Sequence, residues 1–348
     1  QNPQSAAGNT LIYGRKVRQM GQPLAKLPSE NLLDVQDLKK HFPVGDQGYF
    51  GEKQVVKALD GITFTLKRGE TLGIVGESGC GKSTMGRAIL RLHEPSSGTI
   101  VYDGKNITNV SKRKMRDNRK DMQIIFQDPY GSLNPRMTVG AMLSEIVETH
   151  KIVPRKELYD YVCNLLVEVG LSEQHYYRFP HEFSGGQRQR VSIARALCTN
   201  PKLIVCDEAV SALDVSVQSQ ILNLLQRLKK EHQLTYLFIS HDLSVVKHVS
   251  DRVAVMYLGK MVELADKKDL YDNPLHPYTK ALLSAIPSTK EEKKRERVIL
   301  KGDVPSPINV PSGCRFHTRC PLATDRCRAE EPAFREVSEN HFAACHYA

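Results

Sequence analysis

The stretch GESGCGKS, residues 76–83, sets glycines, a lysine and a serine at the G-x-x-x-x-G-K-[ST] spacing that suits a bound phosphate. Glycines let successive backbone N–H groups turn inward around an anion, and a helix starting there adds positive potential. Lys82 can reach the outer phosphates, and the Ser83 hydroxyl can ligate Mg2+. Gly76, Glu77, Ser78, Gly79, Cys80, Gly81, Lys82, Ser83 and Thr84 are therefore expected to bind a nucleoside triphosphate, ATP, with no role for the Cys80 thiol. A second group, LIVCDE (203–208), ends an apolar run on two carboxylates. Asp207 is expected to hold Mg2+ through its water shell and Glu208 to polarise the attacking water. A third group gathers half of the eight cysteines near the C-terminus, at Cys314, Cys320, Cys327 and Cys345.

These groups need elements to hold them. TLGIVG (71–76) predicts a buried strand running into the glycine loop, and KLIVCDE (202–208) and LTYLFIS (234–240) predict two more. Between the last two, VQSQILNLLQRLKKEH (217–232) has helical periodicity. Strand, helix, strand at this spacing argues for a right-handed crossover in a mostly parallel sheet. LLDVQDL (32–38) and ITFTL (62–66) alternate like further strands, and residues 137–198 carry helical periods. Residues 1–30 are polar and aperiodic, which predicts a mobile arm ahead of a domain over 31–265. After about residue 270 prolines become dense and the cysteine cluster follows, so 266–348 is expected as a separate C-terminal segment.

Composition sets outer limits. The chain has 348 residues, 40% hydrophobic, enough for one large core or two domains. No run approaches the ~18–20 apolar residues of a membrane span, and no apolar segment near the start suggests a secretory signal. The expectation is a protein that is soluble or held at a membrane through partners. Its first residue is Gln1 rather than Met, as if a natural start had been trimmed or replaced. The +10 formal charge is compatible with phosphate ligands, but its densest run, SKRKMRDNRK (111–120), lacks interleaved aromatics. That run is expected to be a solvated face, with no nucleic acid as partner.

Further motifs give the pattern a family. FSGGQRQR (183–190), taken with the loop and the carboxylate pair, resembles the signature of ATP-binding cassette (ABC) proteins. IIFQDP carries Gln127 where that family has its Q-loop glutamine, SALD (211–214) resembles the D-loop with Asp214, and ISHD (239–242) resembles the switch with His241. Phe42 lies where the family stacks an aromatic on adenine. The resemblance covers roughly residues 30–260 and implies an α/β P-loop NTPase fold, a mixed RecA-like sheet with antiparallel strands and a helical subdomain over about 137–198. It implies that Ser184, Gly185, Gly186 and Gln187 grip the γ-phosphate of a partner's ATP in a head-to-tail dimer, that Gln127 contacts Mg2+ or the water, and that His241 holds that water with Glu208. Phe183 and Ala209 stand where leucine and proline are more usual, and neither change removes a reacting group.

The branch is indicated by NPLHPYTKALLSAIP (273–287), GDVPSPINVPSGCRFHTRCP (302–321) and DPYGSLNPRMTVG (128–140), which are similar to ATPase subunits of oligopeptide/dipeptide importers, specifically the second of their paired ATPases. By that resemblance the partners are a sister ATPase, two membrane permeases and an external solute-binding protein, with the chain peripheral on the cytoplasmic face of the inner membrane. Relatives for nickel or glutathione share the branch, and soluble ABC proteins of ribosomes or DNA repair are the competing class. The clustered cysteines, with five, six and seventeen residues between them, lack the C-x2–4-C pairs usual for zinc and the spacings of ferredoxins. Zn2+ stays open, as do unligated thiols and a mixed set with His317, His341 and His346. The resemblance favours a [4Fe–4S] cluster on Cys314, Cys320, Cys327 and Cys345, with a structural role.

Overall fold

The computed structural model describes residues 30–44, 54–286 and 298–348. The arm expected over residues 1–30 lies, apart from Glu30, outside the described residues. Strands β1 (Asn31–Pro43) and β2 (Val55–Lys67) precede β3 (Thr71–Val75), which passes through residues 76–81 into helix α1 (Lys82–Ile89). β4 (Ser97–Tyr102), β5 (Lys105–Asn106), α2 (Lys112–Asp121) and β6 (Met122–Ile125) follow. Three helices then run together, α3 (Val139–Thr149), α4 (Leu158–Glu168) and α5 (Gly185–Leu197). The chain returns through β7 (Leu203–Asp207), α6 (Val215–His232), β8 (Thr235–Ile239), α7 (Leu243–Val249), β9 (Arg252–Tyr257) and β10 (Lys260–Asp266). Its last part holds α8 (Lys267–Asp272), α9 (Pro277–Ser284), α10 (Asp325–Ala329), β11 (Arg335–Ser338) and β12 (His341–Ala343).

Two sheets result. The antiparallel one has the order β2-β1-β4-β5, and the larger has the order β11-β12-β10-β9-β3-β8-β7-β6. In the larger sheet β9, β3, β8, β7 and β6 are parallel. Strands β3, β7 and β8 are buried at every position, because both faces are covered. The period of two sorts their side chains. Leu203, Val205, Leu237 and Ile239 join a core with α1 and the antiparallel sheet, whereas Ile204, Cys206, Tyr236 and Phe238 join a second core with the helices. Helix α2, formed from the basic run 112–121, buries only Met115 and otherwise faces solvent. Among the described residues, no helix is long and apolar enough to cross a membrane.

The C-terminal part is not set apart from the sheet, as the density of prolines suggested. β12 pairs antiparallel with β10 (Glu263↔Ala343), and β11 pairs with β12, so the tail widens the main sheet by two strands. Its fastening centres on Glu263, which is fully buried. One carboxylate oxygen accepts from the Leu275 N–H (2.7 Å) and from His341 Nε2 (2.8 Å), and the other accepts from the His276 N–H (2.9 Å). Removing this acceptor strands buried donors that water cannot reach, at a cost of ~1–3 kcal/mol per group. Glu263→Ala is therefore expected to lower stability by about 3 kcal/mol. Denaturant unfolding would measure it, and the tail should become cleavable by protease before the rest of the chain.

Candidate functional site

Registry in the parallel sheet decides where chemistry can occur. Ile74 of β3 and Asp207 of β7 both align with Ile239 of β8, so the three strands end at one edge. Residues 76–81, the pair Asp207–Glu208 and the turn carrying His241 leave the sheet there. The loop closes with the Cys80 N–H donating to the Glu77 carbonyl (3.3 Å), and Ser78 and Gly79 form its exposed crest. Gly81 caps α1 at φ +106°. A β-carbon on it would sit 2.2 Å from the Ala58 carbonyl oxygen, so the turn requires glycine. Ser83 and Thr84 occupy the first turn of α1, half-buried. Cys80 is buried behind the loop, and that burial raises its thiol pKa. It packs and does not react.

Lys82 is 4% exposed and its Nζ donates to the Gly76 carbonyl (2.8 Å) and the Glu77 carbonyl (3.1 Å). It also lies 4.0 Å from Glu208 Oε1. Glu208 Oε2 accepts from Gln127 Nε2 (3.0 Å) and faces His241 Nδ1 at 3.3 Å. Glu208 therefore collects three of the sequence-predicted residues around one carboxylate. Its backbone is left-handed, φ +50°, a strained state for a non-glycine residue. The strain is fixed by its N–H donating to Ile239 and its carbonyl accepting from Ser211.

Asp207 is 1% exposed. Arg87 Nη2 approaches its Oδ2 (3.3 Å), while Oδ1 has no hydrogen-bond partner among protein groups. A buried carboxylate oxygen without a donor is costly, and a hydrated cation would satisfy it, so this position fits Mg2+. Ser83, Gln127 and Asp207 are the donors at this edge suited to hold the ion.

Comparison with known proteins agrees with this geometry. Residues 59–211 match the ABC transporter family, and residues 262–327 match the oligopeptide/dipeptide transporter C-terminal region. The oligopeptide transport ATP-binding protein AppF of Bacillus subtilis is 55% identical over 91% of this chain and 97% of its own length. OppF of Salmonella typhimurium, with the same description, is 51% identical over 90% and 95%. The chain belongs to the ABC transporter ATPases of the oligopeptide/dipeptide importer type. Among solved structures, cbiO1 of Clostridium perfringens, part of an ABC transporter complex, matches this ABC ATPase with a TM-score of 0.61 and 31% identity, over 70% of this chain and 92% of that one. The dimeric structure of the bacterial ABC cassette MJ0796 matches with a TM-score of 0.59 and 26% identity, over 68% and 98%.

The remaining motifs of the ABC ATPase occupy other elements. Ser184 caps α5 in a reciprocal box, its side chain accepting from the Gln187 N–H (3.3 Å) while Gln187 Oε1 accepts from the Ser184 N–H (3.0 Å). Gly185 and Gly186 thus begin α5 with their N–H groups at its positive end. Asp214 caps α6 and is exposed. Phe42 is half-buried near the end of β1, opposite Val56, with its ring edge-on to His93 at 5.6 Å.

Cys314, Cys320, Cys327 and Cys345 line one pocket of about 520 Å3, open mouth included, together with His317 and His346. His341, a possible ligand from the sequence, instead pairs with buried Glu263. Burial pushes the Cys314 thiol up to about 11 and also raises that of Cys320. Among the described residues, one trio of potential ligands lies with all ligand atoms within 4.8 Å of one another, Glu168, Glu231 and His232 on the surface. No three of the four cysteine sulfurs meet that spacing. Cys163, Cys198 and Cys206 are buried elsewhere. Sequence reasoning missed Arg87, Tyr278 and Arg319, each of which reaches this edge of the sheet through a long-range contact that no local motif signals. Gly81→Ala is expected to leave the fold intact and to weaken ATP binding more than about tenfold, since the loop must move to clear the Ala58 carbonyl. Titration with a fluorescent ATP analogue checks it.

Proposed function

We propose that this ABC ATPase hydrolyses ATP at the edge formed by β3, β7 and β8 to drive peptide import. The carrying observation is the convergence of Lys82, Gln127 and His241 on Glu208. A water held between Glu208 and His241 attacks the γ-phosphorus, its proton passes to Glu208, and the bond from the γ-phosphorus to the bridging oxygen of ADP breaks. Lys82 and the N–H groups of residues 78–84 take up the charge left on ADP. Ser83, Gln127 and the water shell of Asp207 would hold Mg2+, which when bound would supply positive charge against the phosphates. Phe42 stacks on the adenine.

Ser184, Gly185, Gly186 and Gln187 act on the ATP of a sister ATPase, with Asp214 at the dimer contact. The outward N-terminus of α5 supports this, and so does the dimeric state of a matching cassette. ATP closes this heterodimer, and hydrolysis with product release reopens it, which rocks two permease subunits between inward and outward states. An external binding protein delivers the peptide. The chain sits peripherally on the cytoplasmic face of the inner membrane. The oligopeptide names carried by relatives at 55% and 51% identity support peptide, over nickel or glutathione, as the solute.

The tail cysteines hold a [4Fe–4S] cluster that braces the segment. The four cysteines line one shared pocket, which supports a bound group there, and the resemblance to importer ATPases favours the cluster over Zn2+.

Glu208→Gln tests the catalytic assignment. It should keep ATP affinity while slowing turnover by about 10^2–10^4, measured as phosphate release from the transporter in membranes. Unchanged turnover would sink it. For the cluster, anaerobically purified protein should contain about four irons and four sulfides, lost in Cys314→Ser. About one zinc per chain would replace that assignment.

A further inference from the structure

Glu77 is out of place electrostatically. It is the second residue of a loop that receives a polyanion, yet it carries a negative charge that would repel the phosphates. Every polar group of this residue is tied. Its carbonyl accepts from Lys82 Nζ (3.1 Å) and the Cys80 N–H (3.3 Å). Its own N–H donates to Tyr278 Oη (2.9 Å). Its carboxylate receives both arms of the Arg319 guanidinium, at 2.7 and 3.1 Å. Arg319 is 8% exposed on its side chain and Glu77 27%, so the pair is partly shielded from solvent and salt.

Both tail residues come from the cysteine segment or pack directly on it. Arg319 precedes Cys320. Phe316, 1% exposed and lying between Cys314 and Cys320, is wedged against Tyr257 and Tyr278 with ring centroids 5.3 Å from each. Tyr257 and Tyr278 are themselves 4.8 Å apart. The 314–320 loop therefore touches the phosphate loop twice, by charge through Arg319 and by packing through Phe316 and Tyr278.

We propose that the 314–320 loop is a charge-neutralising clamp on the phosphate loop, with Arg319 as a positioning residue that cancels the Glu77 carboxylate and makes ATP affinity depend on the state of the cysteines flanking it. The inference rests on residues 76–84 binding ATP, and not on which group the cysteines hold. Arg319→Ala leaves the half-buried Glu77 carboxylate without its countercharge, beside the loop that receives the phosphates. Glu77→Gln removes the charge that needed cancelling.

The test is a titration of the full chain with a fluorescent ATP analogue and Mg2+, with iron content and thermal midpoint recorded for each variant. Arg319→Ala should weaken binding about tenfold, and Arg319→Ala/Glu77→Gln should recover most of that loss. Cys320→Ser should weaken binding similarly and add nothing on top of Arg319→Ala. Arg319→Ala binding like the parent would overturn the clamp, and so would failure of Glu77→Gln to rescue, since a packing defect is indifferent to that charge. Additive losses from Cys320→Ser and Arg319→Ala would overturn the link to the cysteines. If Arg319→Ala does not fold, Arg319→Gln carries the same comparison. A parent chain without iron that still shows the Arg319→Ala loss and its rescue would uphold the clamp while removing the cluster assignment.

Discussion

Holding a triphosphate beside the Glu208 carboxylate is the constraint on which this structure turns. Both are negative, so the protein must bring cationic and N–H groups to the same place without letting them collapse onto the carboxylate. The shared end of β3, β7 and β8 does this through register, with Ile74 and Asp207 both aligned with Ile239. Lys82 is held by two loop carbonyls and kept 4.0 Å from Glu208, a separation longer than a direct hydrogen bond. Arg87 instead pairs directly with one oxygen of Asp207 (3.3 Å) and leaves the other without a protein partner. The strained backbone of Glu208 belongs to the same arrangement, because a relaxed strand end would turn its carboxylate elsewhere.

That edge is supported from behind by a seam where both sheets and the tail meet. The carbonyls of Lys57 and Ala58 in β2 point at it. Gly81 is forced by the Ala58 oxygen, and a β-carbon on Gly259, at the β9–β10 turn with φ +75°, would lie 2.7 Å from the Lys57 oxygen and 2.9 Å from that of Ala58. The Gly259 N–H donates to the Cys80 carbonyl, and its carbonyl accepts from the Asp60 N–H. Arg315 from the tail closes the seam by pairing with Asp60 and donating to the Leu258 carbonyl. Burial alone would raise the Asp60 pKa, but Arg315 and His41 outweigh it and hold the carboxyl below the usual range. Phosphate loop, β9–β10 turn and tail are thus one mechanical unit.

The parts legible in the sequence are those whose chemistry is local. Glycine spacing, a carboxylate pair at the end of an apolar run and a capping Ser–Gln box each carry their signal within eight or so residues, and strands buried on both faces announce themselves as apolar runs. β1 and β2 were only partly legible, since register shifts at several points in their ladder break the alternation over their 13-residue lengths. The tail's sequence signals the importer branch, but its contact with the phosphate loop was not legible. Arg319 and Glu77 are 242 residues apart and Tyr278 and Glu77 are 201 apart, and a guanidinium in a polar, proline-rich stretch looks like any exposed arginine until the fold supplies its carboxylate. The same holds for β11 and β12, too short and too polar to be strands without β10 to receive them.

The tail's many fastenings bear on what its cysteines can do. A short segment dependent on a metal for all its stability would unfold when the metal left. This one has other anchors, in the β10–β12 ladder, the buried Glu263–His341 pair and the Arg315–Asp60 pair. Were the cysteines to hold a group, its loss would be felt first between Cys314 and Cys327, where Arg319 and Phe316 lie. The hairpin and the seam would hold that loop's ends in place while its middle loosened. A group held there would have little leverage over the global fold and a great deal over one guanidinium, and so over the charge that the phosphate loop presents.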